Sequence, residues 1–535
     1  MGQVEGETVD RLASLEELTM QKINCAAVSA AMGAVLMAAV VMGAAASAPS
    51  STKSGPAKEL RAMNPVGKGD TVKRLDGSAI TATEIDATVV RLMKAAEVPG
   101  AGIVIINGGK VVFAKGYGLR DKEKNLPLTE NTVMSGASFT KVVFAYMAMR
   151  LVDKGMLDLD KPVYEYLPKP LPEYDGYKDL AGEERYKLIT ARMLLDHTSG
   201  FPNYRWINDD RRLNINFQPG SRFAYSGEGI NLLQFVIETI TRRPLQDLME
   251  ENVFQPLGMT RSSMVWQSRF EDDYANGYDE YGRSLGPLRW KNPNAAGSLS
   301  TTPLDFARFV QAILDGKGLR TRTWGWMLSA QVPILAKHEF PTMENQPTDE
   351  NKSIRLSYGL GWGLYWSPHG EAFFKEGHDD GWRNYCVGFR TPKDAMILMT
   401  NSGNGEGIYK ELLERALADT YTPIEWEGFT PYDRLPPRPA LKQHTKVSVD
   451  AQTLEKYAGR YGTPPKLILA VRHEGDHLTV QENDEPVQEL NPESATQFFS
   501  TVADDVYTFE MDSSGKVTRM VLHSGDETIP IDRID

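Results

Sequence analysis

Strand patterns at two places far apart in the chain constrain the fold more than any other feature. VPGAGIVIINGGKVVFAKGYG (98–118) carries two β-branched apolar runs around Asn107-Gly108-Gly109. That is a hairpin signature, because glycine accepts the positive φ of a tight turn. YGLGWGLYW (358–366), GEAFFKEG (370–377), NYCVGF (384–389) and AMILMTNS (395–402) read as four further strands. Between the two groups lie helical periodicities in FTKVVFAYMAMRLVDK (139–154), INLLQFVIETI (230–240) and LDFARFVQAIL (304–314). Strands that bracket a helical middle predict an α+β domain whose sheet is assembled from both ends of the segment.

The pattern changes at PYDRLPPRPA (431–440), a Pro-rich stretch that reads as a semi-rigid linker. Short alternating segments follow over 453–535, with Asp-Ser-Ser-Gly-Lys (512–516) as a turn between two strands. They predict a separate all-β barrel or sandwich. At the other end, residues 25–48 carry no charge and finish in Ala46-Ser47-Ala48, behind Lys22. This predicts a secretory signal or, given the length of the run, a retained membrane anchor. Met20 is an alternative start. The expected division is 1–48 signal or anchor, 49–70 flexible lead-in, 71–430 catalytic domain, 431–450 linker and 451–535 β module. The expected location is exported, periplasmic or extracellular.

Composition removes several classes of function. Of 535 residues, 59 are Lys or Arg and 71 are Asp or Glu, a net charge of −12. A nucleic-acid partner is therefore not expected, since its binders carry a basic balance or face. Two cysteines, Cys25 and Cys386, exclude a disulfide framework. There is no cysteine pair at zinc-ligand spacing, and neither metal nor cofactor is expected. Cys386 reads as a small buried apolar residue.

Chemistry enters at Ser138-Phe139-Thr140-Lys141. Residues three apart share a helix face, so the Lys141 amine reaches the Ser138 hydroxyl. Serine is a weak nucleophile that needs a neighbouring base. Lysine serves when burial or a nearby cation lowers its pKa. Two more SxxK matches, Ser50 to Lys53 and Ser513 to Lys516, fall in the lead-in and in a β-module turn. Only Ser138 opens a long apolar helix.

The blocks SFTK, KGMLDLDKPVYEYLP, ITARMLLDHTSGFP, FQPGSRFAYSGEGINLL, FQPLGM, AAGSLSTTPLDFARF, YGLGW, FFKEGHDDGW and MILMTNS occur in that order. In these blocks the chain resembles the class C β-lactamase and penicillin-binding-protein family, with its esterase and D-peptidase relatives, over about 90–430. Residues 453–535 resemble the lipocalin-like β modules appended to that family. The resemblance implies an antiparallel sheet flanked by helices, a helical subdomain and a serine hydrolase that works through an acyl-enzyme. The implied partner is a small-molecule or peptide substrate with a carbonyl and a leaving group.

Carried over residue by residue, the resemblance makes Ser138 the nucleophile and Lys141 its base. The family's Tyr-x-Asn motif falls on Tyr225-Ser226-Gly227, which keeps the tyrosine and lacks the asparagine. The literal match Tyr274-Ala275-Asn276 lacks the preceding PGSRF block. The third motif falls on Lys375-Glu376-Gly377, where threonine is usual at the second place. His378-Asp379-Asp380, the histidine form, lacks its glycine. Lys375 is then the cation of the site, Gly377 permits close approach of substrate, and the oxyanion hole is the backbone amides of Ser138 and His378. His197 belongs to a loop-shaping block. Tyr204 and Trp206 line the cleft or pack ordinarily, and Asp379 and Asp380 are solvated carboxylates at its rim. Gly227 should lose the asparagine's hydrogen bonds unless a water or a neighbour such as Asn231 or Glu228 substitutes, and the gap should enlarge the pocket. Esters, β-lactams and D-amino peptides all remain open as substrates, as does a catalytically silent relative that binds peptidoglycan or a protein.

Overall fold

The computed structural model describes residues 71–535, except 209–210, 345, 436–437, 439–442, 464–466, 483–486, 501–504 and 525–526. The expected signal or anchor and the lead-in lie outside the described residues. Among the described residues no helix is long and apolar enough to cross a membrane. The described chain divides into two compact units, one of residues 71–435 and one that runs from 438 to 535.

The first unit begins with helix α1 (Ala82–Ala95), whose N-cap Thr81 forms a capping box with Glu84. The hairpin β1 (Gly100–Asn107) and β2 (Lys110–Asp121) turns at Gly108 and Gly109, both at positive φ. Next come β3 (Met134–Ala137) and α2 (Phe139–Asp153). Then follow α3 (Gly227–Thr241), β4 (Leu299–Thr301) and α4 (Pro303–Asp315). The run β5 (Gly363–Ser367), β6 (Gly370–Asp379), β7 (Trp382–Phe389) and β8 (Asp394–Thr400) leads to α5 (Tyr409–Leu417). Helices α1 and α5 have no counterpart in the sequence reading.

Among the described residues the main sheet has nine antiparallel strands. Its centre runs β5-β6-β7-β8-β1-β2, so strands from both ends of the unit meet where β8 pairs β1, from Ala395 opposite Ile106 to Thr400 opposite Ala101. Alternation of side chains then divides two cores. Ala395, Ile397 and Met399 face the core that contains α2, α3 and α4. Met396 and Leu398 face the one with α1 and α5. Helix α2 is buried on nearly every side, which explains why its sequence is apolar all round.

The second unit is an eight-stranded antiparallel sheet in sequence order from Gly459–Thr463 to Glu527–Asp532. A bridge between Tyr461 and Arg533 brings its ends nearly to closure. One helix, Ala451–Tyr457, departs from the all-β expectation and buries Leu454 and Tyr457 in the core of this unit.

Candidate active site

Ser138 is the first residue of the turn that opens α2, half-buried, and its hydroxyl caps no backbone amide. The preceding Ala137 takes a φ of 45°, unusual for a residue with a Cβ. Pairing of β3 with β4 holds this turn, and the Thr140 hydroxyl accepts from the Leu299 amide at 2.9 Å. One helical turn on, Lys141 Nζ lies 3.0 Å from Ser138 Oγ and donates to the Ala296 carbonyl at 2.7 Å. Lys141 is 1% exposed. Burial, with the Lys375 ammonium close by, lowers its pKa to about 7. The helix periodicity thus places the amine by the hydroxyl, and the packed core lowers the amine's pKa.

Tyr225 sits just before α3. Its position is set by His197, whose carbonyl accepts from the Ala224 amide at 2.9 Å and whose Nδ1 accepts from the Ser226 amide at 3.2 Å. Ser226 caps α3 by accepting from Gly229 at 2.9 Å. The His197 ring lies 4.5 Å from that of Tyr225, and burial and the two lysines hold its pKa well below the usual range. His197 therefore braces Tyr225, in line with its loop-shaping block. The Tyr225 ring receives Lys141 Nζ at 4.9 Å and Lys375 Nζ at 4.5 Å from its centroid. Lys375 donates to the Tyr225 oxygen at 3.0 Å. Burial, then Glu376, raises the phenol well above its ordinary pKa, and a hydrogen bond with Ser138 opposes the rise.

The structure thus brings Ser138, Lys141, Tyr225 and Lys375 together. Tyr274 packs instead edge-on against Trp266.

Lys375 is fully buried on β6 and forms an ion pair with the adjacent Glu376. Strand β6 pairs with β5 only as far as Phe374, so from Lys375 onward it pairs with β7 alone. A Cβ on Gly377 would lie 2.7 Å from the Gly136 carbonyl oxygen, so the close approach here is by β3 of the same chain. The Asn384 amide also donates to the Ser135 carbonyl at 3.0 Å, tying β7 to β3. The His378 ring turns toward Glu406, with Nδ1 3.8 Å from Oε2. Asp379 and Asp380 are half-buried, not solvated as the sequence reading had it. Burial and the Asp379 charge raise Asp380 to about 7. Cys386 is buried, and burial raises its thiol.

The expected enlargement at Gly227 is corrected. A Cβ there would lie 2.8 Å from Tyr204 Cε1 and 3.0 Å from the Asn203 carbonyl oxygen. Glu228 does not fill in for the absent asparagine, because Arg205 holds it through Nε at 2.8 Å and Nη2 at 2.7 Å. That pair fastens the 203–207 loop to α3 and presents Tyr204 stacked on Trp206, centroids 5.4 Å apart and planes 7° apart. Phe340, 45% exposed, adds a third ring 5.7 Å from Tyr225. Its segment carries no motif, and the sequence reading missed it.

The Beta-lactamase family matches residues 85–419, and residues 443–532 match a domain of unknown function, DUF3471. Penicillin-binding protein 4* of Bacillus subtilis (strain 168) is 24% identical over 435 residues, 74% of this chain and 87% of that protein. The structure of the octameric penicillin-binding protein homologue from Pyrococcus abyssi gives a TM-score of 0.53 at 22% identity, covering 85% of this chain and 100% of that one. D-alanine carboxypeptidase AmpC from Burkholderia cenocepacia gives 0.50 at 21% identity, over 63% and 100%. At these identities the structural likeness speaks to the fold alone.

Proposed function

The chain belongs to the beta-lactamase family, and on that premise we propose that it is a serine hydrolase that forms an acyl-enzyme on Ser138 and prefers neutral carboxylic esters to β-lactams and D-amino peptides. Neutral Lys141 takes the Ser138 proton as Oγ attacks the substrate carbonyl. The amides of Ser138 and His378 receive the developing oxyanion. The proton then passes by way of Tyr225, held by Lys375, to the leaving alkoxide as the C–O bond breaks. Water, deprotonated by the same groups, adds to the acyl carbonyl and releases the acid and Ser138.

One observation carries the substrate preference: the Lys375 ammonium is already engaged by Glu376 and by the Tyr225 oxygen. A substrate carboxylate arriving there meets a neutralised cation and the Glu376 charge. The rings of Tyr204, Trp206 and Phe340 suit an apolar acyl group instead. The N-terminal run is read, within the same proposal, as an export signal or anchor. The test is one preparation assayed on p-nitrophenyl butyrate, nitrocefin and a D-Ala-D-Ala peptide, with Ser138→Ala as the blank. The ester should give the highest kcat/KM, and Ser138→Ala should lose both turnover and fluorophosphonate labelling. A nitrocefin value a hundredfold above the ester value would overturn the preference. Retained turnover in Ser138→Ala would overturn the mechanism.

A further inference from the structure

Behind Lys375 three carboxylates from distant parts of the chain converge. Glu339, Glu376 and Glu427 each bring an oxygen within 4.8 Å of the others. They are 3%, 6% and 5% exposed. Glu376 is on β6, Glu339 lies in the loop that carries Phe340, and Glu427 lies in the segment after α5. The Glu339 amide donates to the Trp426 carbonyl at 3.0 Å, which joins the two loops. Tyr385 donates to Glu427 Oε2 at 2.7 Å, and Lys375 contacts Glu376. Glu339 Oε2 and Glu427 Oε1 are buried with no hydrogen-bond partner among the described residues.

Buried carboxylate oxygens without a donor are costly, and three together are more so. Lys375 pairs with Glu376, which leaves Glu339 and Glu427 without a contacting cation among the described residues. We propose that Glu339, Glu376 and Glu427 bind a divalent cation of calcium size. The donors are all hard oxygens, which suit Ca2+, Mg2+ or Mn2+ and not soft metals. Calcium sits ~2.3–2.6 Å from each ligand oxygen and so bridges oxygens up to about 5 Å apart, whereas magnesium at ~2.0–2.1 Å requires a tighter cage. A +2 ion closes the charge balance and gives the two orphan oxygens a partner. It also staples the Phe340 loop and the 422–429 segment to β6, next to the lysine of the candidate site. No sequence motif announces this, because the ligands are spread over 339–427 without regular spacing.

The test is elemental analysis and thermal unfolding of the purified full chain. One equivalent of a divalent ion per chain is expected after dialysis against CaCl2. EDTA should lower the melting temperature by several degrees, and Ca2+ should restore it more fully than Mg2+. Glu339→Gln combined with Glu427→Gln should abolish both the stoichiometric ion and the EDTA shift. The wild-type arms stand without that variant should it fail to fold. A chain free of metal whose melting temperature ignores EDTA, Ca2+, Mg2+ and Mn2+ would overturn the proposal, and so would an ion retained in a folded double variant.

Discussion

Tyr204 occupies the space that a side chain on residue 227 would need, with its Cε1 2.8 Å from a Cβ built on Gly227. Tyr204 is braced by its stack on Trp206 and by the Arg205–Glu228 pair, so it yields poorly. Gly227→Asn should therefore reduce ester kcat/KM at least about tenfold and cost ~1–3 kcal/mol of stability, as overpacking does. Tyr204→Ala in the same chain should recover part of both losses. A double-mutant cycle on urea unfolding and on kcat/KM measures the coupling. Simple additivity would show that the two positions do not compete for space.

Lys141 must be neutral to accept the Ser138 proton, and its pKa is about 7. Burial and Lys375 lower it, while Glu376, Glu339 and Asp379 raise it. Ester kcat/KM should therefore rise about tenfold per pH unit below that point and level off above it. Asp380 titrates in the same range, so Asp380→Asn is the control and should leave the inflection in place. An inflection that moves with Asp380 would assign the titration elsewhere.

The same shift carries a stability prediction. Because the folded pKa of Lys141 lies below the unfolded value of ~10.4, the unfolded chain binds more protons between those values. The lysine's contribution to stability therefore rises with pH across that window and is least favourable below about pH 7. Lys141→Met, inactive, should stabilise the fold most at pH 6, with the gain shrinking toward pH 10. Urea midpoints at several pH values measure it, and a gain independent of pH would contradict the lowered pKa.

What was legible in the sequence had local periodicity or a motif. The hairpin at Gly108-Gly109, the apolar run of α2 and the Ser138–Lys141 spacing all follow from three- or two-residue repeats, which a single segment displays. Tyr225 and Lys375 were reached only through resemblance, since their meeting at 3.0 Å depends on how β6 stands against the loop before α3. Gly227 was misread as a vacancy because a sequence shows what a glycine lacks and not what neighbour fills the space. Glu339 and Glu427 carried no signal: each is a single acid in a loop, and their convergence is purely tertiary. Helices α1 and α5 passed unnoticed although α5 is amphipathic, because the strand patterns around them dominated the reading.

Glu376 stands where threonine is usual in the resembling family, and it neutralises Lys375. Glu376→Thr should free the ammonium for a substrate carboxylate. The ratio of nitrocefin or D-Ala-D-Ala-peptide turnover to ester turnover should rise about tenfold or more, consistent with a charge-assisted hydrogen bond of ~1.5–3 kcal/mol. Most of the change should appear in KM for the carboxylate substrates. An unchanged ratio in a folded variant would mean that the ion pair does not set the preference.

Trp426 and Phe429 are 3% and 8% exposed within the core that holds α1 and α5, and the Tyr432 hydroxyl oxygen accepts from Arg91 Nη1 at 3.3 Å. A chain ending at Glu425 loses both buried aromatics, each worth ~3–5 kcal/mol on removal, together approaching the ~5–15 kcal/mol that holds a domain folded. It should accumulate unfolded or melt far below the full chain. A chain ending at Leu435 keeps this core and all four residues gathered around Ser138, so it should fold and label with a fluorophosphonate at Ser138 at close to the full-length rate. Circular dichroism and intact mass on the two shortened chains decide the point. A Leu435 chain that is folded yet unlabelled would show that the eight-stranded unit takes part in the chemistry.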